Sequence, residues 1–95
     1  MADWSMFDEL AIEASKAGEA HAKFIGECHV KNGTSWFDGG MISGGAHKDW
    51  PQEHNDESRR LLAIFYDAQD KAMKAKPPRV HKRTALNRLR NVLEN

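Results

Sequence analysis

Ninety-five residues are enough for one domain, of a size that buries roughly 60–70% of the surface its unfolded chain exposes. Leu, Ile, Val and Phe total 17, under a fifth of the chain, and the net charge is zero. Few apolar residues without excess charge imply a folded domain with a thin core rather than a disordered segment.

The lone Cys28 excludes an internal disulfide and fits a reducing compartment. The opening "MADWSMFDEL" lacks the basic-then-apolar layout of a secretory signal, and the longest apolar run, "LLAIFY", is too short to span a bilayer. The expectation is a cytoplasmic chain with no membrane partner. On that reading Asn32-Gly33-Thr34, which matches a glycosylation acceptor, marks only a turn.

A first helix is expected over about 5–28, with the Ser5 side chain accepting from the amide of Asp8. Phe7, Leu10, Ala14, Ala17, His21, Phe24 and Cys28 recur at spacings of three and four and so share one face. Alanines and Gly18 along that face allow close approach of a neighbouring helix. The same stripe would suit a homodimer seam.

Residues 29–50 differ from the rest, holding five of the seven glycines and two of the three tryptophans. Asn32-Gly33 lies between residues suited to strands and signals a hairpin. Long connections in compact domains are mostly functional. Trp36, Phe37, Met41 and Ile42 on this one either complete the thin core or face a partner, and Trp50 suits a lid over the helices.

A second helix is expected over about 51–75, with Asp49 as its cap and Pro51 in its first turn. Its seam is His54, Ser58, Leu61, Phe65, Ala68 and Ala72, buried most deeply in the middle and at the end. "KPP" at 76–78 stops it. A basic third helix follows over about 79–93, started by Pro78 or capped by Thr84, with Leu86, Leu89 and Leu93 on its apolar side. The predicted fold is thus mainly α, three helices with a long Gly/Trp-rich loop, holding at most a short hairpin, between the first two.

Charge is distributed unevenly. Residues 1–27 sum to −4, residues 28–70 to −3, and residues 71–95 to +7. On the third helix Arg83, Asn87 and Arg90 share a face, with Arg79, Lys82 and Arg88 close by, an arrangement suited to phosphate oxygens and base edges. The same helix lying along its own acidic neighbours would be neutralised internally. No second helix stands in a helix-turn-helix register.

Other chemistry has weaker support. Cys28, His29, His47 and His54 are zinc-ligand types, but their spacing matches no paired-ligand pattern, so no metal or cofactor is expected and these histidines read as solvated. Cys28 reads as a small buried apolar residue rather than a nucleophile. "GGMISGG" lacks the Lys-Ser/Thr ending of a phosphate-binding loop. The expectation is a non-enzymatic binding protein. Small size, high tryptophan content and bipolar charge match, by composition alone, small accessory proteins of phages and mobile elements, which bind and inhibit or redirect a host protein or protein complex. A nucleic-acid-binding protein using the basic helix is the alternative, and a subunit of a larger assembly the third.

Overall fold

The computed structural model describes residues 2–94. Three helices, α1 (Ser5–Asn32), α2 (Gln52–Lys74) and α3 (Lys82–Glu94), are joined by a connection carrying a two-stranded antiparallel hairpin, β1 (Met41–Ile42) and β2 (Ala46–His47). The strands pair Met41 with His47 and Ile42 with Ala46. The predicted fold class is the observed one, with differences at the element ends.

At the start of α1 Trp4 holds the cap position, and Asp3 rather than Ser5 supplies the side-chain acceptor. Asp3 Oδ1 accepts from the Ser5 amide at 3.0 Å and from its hydroxyl at 2.7 Å, while the Asp8 amide donates to the carbonyl of Trp4. Asn32-Gly33 is not a hairpin turn. It ends α1, with Gly33 left-handed at φ 64° and the amides of Gly33 and Thr34 donating to the carbonyl of His29. Asn-Gly favours positive φ, a demand shared by tight hairpin turns and helix ends. The hairpin turns instead at Ser43-Gly44-Gly45, where both glycines have positive φ.

Pro51 precedes α2 rather than entering it, and its carbonyl accepts from the amides of His54 and Asn55. Asp49 is not the cap, since its amide is drawn to His47 Nδ1. Before α3, neither Pro78 nor Thr84 acts as expected. His81 is the cap, accepting from the Arg83 amide at Nδ1 (3.0 Å) and from the Ala85 amide at its carbonyl.

The deepest burial lies at the two ends of the helical pair, not along the middle of α2. At one end Phe7, Ala11, Ala72, Ala85 and Leu89 pack together, with Trp4, Leu10, Met73, Val92 and Leu93 around them. At the other end Ile25, Cys28 and Trp50 pack together, flanked by Phe24. Between these clusters α1 and α2 meet closely, since a Cβ on Gly18 would stand 2.9 Å from the ring of Phe65. There an open notch of about 280 Å³ remains, lined in part by Gly18, Phe65 and Leu93. The buried stripe of α1 runs through Phe7, Ala11 and Ala14 to Ile25, Cys28 and His29, leaving Leu10, Ala17, His21 and Phe24 half-buried. It is broader than the predicted seam because α1 contacts both α2 and α3.

Candidate interaction site

The connection is folded around one carboxylate. Asp38 accepts from the amide of Ser35 at 3.0 Å, from the amide of Gly40 at 2.8 Å and from His47 Nε2 at 2.8 Å. These donors hold the Asp38 carboxyl at about 2, with the Ser35 amide contributing most, then His47 and then Gly40. Ser35 and Asp38 thereby close a four-residue turn whose central residues are Trp36 and Phe37. The Phe37 amide donates to Ser35 Oγ, which fixes the turn further.

His47 anchors this arrangement from below. Its ring has no solvent exposure. The Asp49 amide donates to Nδ1 at 3.0 Å, so the proton sits on Nε2 and is donated to Asp38. The Asn55 side chain clamps the His47 backbone, accepting from its amide and donating to its carbonyl. Gly40 passes so close that a Cβ there would overlap the imidazole. The expectation that His47 is solvated is therefore overturned. The reason is hydrogen-bond pairing: both nitrogens are satisfied, so burial carries little polar penalty.

Trp50 stacks on His47 with ring centroids 5.5 Å apart and donates its indole N–H to Thr34 Oγ1 at 2.9 Å. Thr34 Oγ1 also lies 2.8 Å from His29 Nδ1. His29 is buried as well, against the same expectation, because three rings enclose it: Trp36 at 5.1 Å, Trp50 at 5.0 Å and His47 at 6.0 Å. Among the described residues its Nε2 is the one buried side-chain polar atom with no hydrogen-bond partner. An orphaned buried group of this kind costs about 1–3 kcal/mol.

His54 and His21 extend the network toward the helices. Asn32 Nδ2 donates to the carbonyl of Cys28 and to His54 Nδ1. The Ser58 hydroxyl donates to the carbonyl of Gly45 at 2.5 Å and accepts from His21 Nε2. Burial pushes the His21 imidazole below its ordinary value and, as the main cause, the Cys28 thiol above its own. Among the described residues no three His, Cys, Asp or Glu side chains converge as a metal-binding group.

Above this buried network the turn is bare. Phe37 is 97% exposed, Trp36 54% and Ile42 47%, while Met41 is half-buried. Trp50 is part of the core. The four expected contact residues are thus brought to one end of the molecule, three of them open to solvent. Asp38, His47 and Gly40, which position them, carried no sequence signal taken as functional, although the Ser-x-x-Asp spacing at 35–38 ahead of Gly-Gly is itself a turn signature.

The basic face lies at the other end. Arg79, Lys82, Arg83, Asn87 and Arg90 are exposed. Arg88 is not free: it forms a two-pronged pair with Asp8 at 2.8 and 2.7 Å and lies 4.5 Å over the ring of Trp4. One predicted contact residue therefore serves to seat α3 on α1. From Asp8 to His29 is about 30 Å of helix, so the aromatic and basic surfaces are separate. No match was returned by comparison with protein families, curated proteins or solved structures. Among the described residues no helix is long and apolar enough to cross a membrane.

Proposed function

We propose that this chain is a small non-enzymatic binding protein that engages a protein partner through Trp36 and Phe37. The observation that carries the reading is the contrast between the turn and its tip. A buried imidazole, a saturated carboxylate and a glycine that admits no side chain hold residues 35–40 in one shape. The aromatic ring at the centre of that shape touches water almost everywhere. The ring of Phe37 is almost wholly outside the fold, and aromatic side chains are enriched at the centres of protein interfaces. A partner inhibited or redirected in this way, in the manner of phage or mobile-element accessory proteins, fits the size and two-ended layout.

Phe37→Ala tests the reading cleanly, because removing a ring with no internal contacts leaves folding intact. Affinity capture from the source cell after nuclease treatment should yield a defined protein with wild type and lose it with Phe37→Ala. Equal recovery with both proteins sinks the proposal.

A second reading has one specific observation in its favour. The first turn of α3 holds Lys82 and Arg83 and no acid, at the helix end where cations are disfavoured. Arg83, Asn87 and Arg90 point outward from the same helix. Such a surface suits a polyanion such as DNA or RNA, bound salt-dependently. Charge reversal of Arg83 and Arg90 together should abolish retention of a duplex or single-stranded oligonucleotide, and Phe37→Ala should not.

A further inference from the structure

The buried network beneath the turn leaves one hydrogen donor unused. Thr34 Oγ1 accepts the indole proton of Trp50 and has one proton of its own. Donated to His29 Nδ1, 2.8 Å away, that proton leaves the imidazole hydrogen on Nε2. The opposite arrangement would make Thr34 accept twice and leave its hydroxyl hydrogen without a protein acceptor among the described residues. On that assignment His29 Nε2 is an N–H with no acceptor, on a residue only 7% exposed. Every other buried side-chain nitrogen and oxygen among the described residues is paired.

Three rings border His29. His47 and Trp50 are fixed, being buried, stacked on each other and hydrogen-bonded. Trp36 is half-exposed, with no side-chain hydrogen bond among the described residues, and is the ring able to turn aside. Asp38, two residues along the turn, is already committed to three donors. An unused donor bordered by a movable aromatic suits an anionic oxygen.

We infer that Trp36 covers a carboxylate-binding site whose donor is His29 Nε2–H, and that the partner fills it with an acidic group while an apolar surface takes Phe37. This rests on the reading of Trp36 and Phe37 as the contact surface and names the chemistry of the partner. It explains why the chain keeps an unsatisfied donor beside the half-exposed ring of Trp36: the bond is completed in the complex. A charged acceptor makes a stronger hydrogen bond than a neutral one, so the acidic group gives specificity that aromatic contact alone lacks.

The test uses the full chain labelled with nitrogen-15 at neutral pH, and sodium acetate as the probe. In the wild type the His29 ring should show its proton on Nε2. Acetate should shift that signal saturably, whereas sodium chloride of equal ionic strength should not. Trp36→Ala, or Trp36→Leu if the alanine variant does not fold, should bind acetate several-fold more tightly. An intact Trp50 indole signal verifies the fold in either variant. A proton on Nδ1, acetate shifts no larger than those with chloride, or unchanged affinity on removing the Trp36 ring each overturn the inference. Capture by Phe37→Ala is read separately, so failure here leaves the aromatic contact standing, and failure there leaves the acetate site standing.

Discussion

Asp38 and His47 lie nine residues apart and meet through a 2.8 Å hydrogen bond that joins the exposed turn to the core. The carboxylate is partly open to solvent, whereas the imidazole is wholly enclosed. One half of the pair belongs to the exposed turn and the other to the core, so disturbing the pair should move both.

The pair sets a pH dependence. The Asp38 carboxyl is depressed in the folded state, from 3.8 to about 2. A carboxylate lowered by folding contributes stability above its unfolded value, and that contribution is lost as pH falls through the folded one. Stability should therefore drop between roughly pH 4 and pH 2, and the protection of the Gly40 and Ser35 amides, measured relative to their intrinsic exchange at each pH, should fall over the same interval. Asp38→Asn should already show fast exchange at those two amides at neutral pH and lose the acid-range change there. An acid limb unchanged by Asp38→Asn would assign the dependence to other carboxylates.

Two glycines should respond oppositely to alanine. At Gly40 the added Cβ would overlap the His47 ring, which is enclosed and cannot withdraw. Gly40→Ala should cost about 1–3 kcal/mol as an overpacked site. Gly26 lies exposed inside α1, and a Cβ there would meet nothing within 4 Å, so Gly26→Ala should add about 0.5–1 kcal/mol through helix propensity. Urea unfolding of the two variants beside wild type measures both. A neutral Gly40→Ala would mean that the turn shifts freely, against the rigid presentation of Phe37.

The helices were legible because their signals are local and repeated. The apolar stripe of α1, the seam of α2 and the stop at Pro77-Pro78 each depend on residues near in sequence. The turn was legible only as a place. Trp36 and Phe37 stood out by type, but Asp38 binding His47 and Asn55 clamping its backbone are pairings across eight or nine residues of irregular chain, with no periodicity to reveal them. Asn32-Gly33 misled because positive φ serves a helix end as well as a hairpin. His29 and His47 were misplaced because burial of a histidine depends on partners that spacing does not disclose.

The Asp8–Arg88 pair seats α3, yet it should be worth little. Both side chains are about two-fifths exposed, 41% and 42%, so water screens the charge despite the two-pronged geometry. The Asp8 carboxyl is held below its ordinary value, chiefly by the hydrogen bond from Arg88. A double-mutant cycle with Asp8→Ala and Arg88→Ala should give only the small coupling of an exposed ion pair. Contact of Arg88 with the ring of Trp4 adds to this, so Arg88→Ala should cost more than Asp8→Ala. Raising salt should weaken the coupling and leave the Trp4 contribution largely unchanged.

Thr34 joins Trp50 to His29 through one oxygen, and Thr34→Val isolates what that oxygen does. Valine has nearly the same shape, so packing is kept while the indole N–H of Trp50 and Nδ1 of His29 both lose their partner. Orphaning buried groups costs about 1–3 kcal/mol, and the half-buried setting of Thr34 favours the lower part of that range. Thr34→Ser restores the hydroxyl and should recover most of the loss. The Asp38 bonds that shape the turn do not pass through Thr34. Partner capture by Thr34→Val should therefore persist wherever the variant remains folded, but with reduced affinity, because His29 no longer has its Nε2 proton fixed. A Thr34→Val variant as stable as wild type would mean that the indole and imidazole find other partners, and the tautomer assigned to His29 would fall with it.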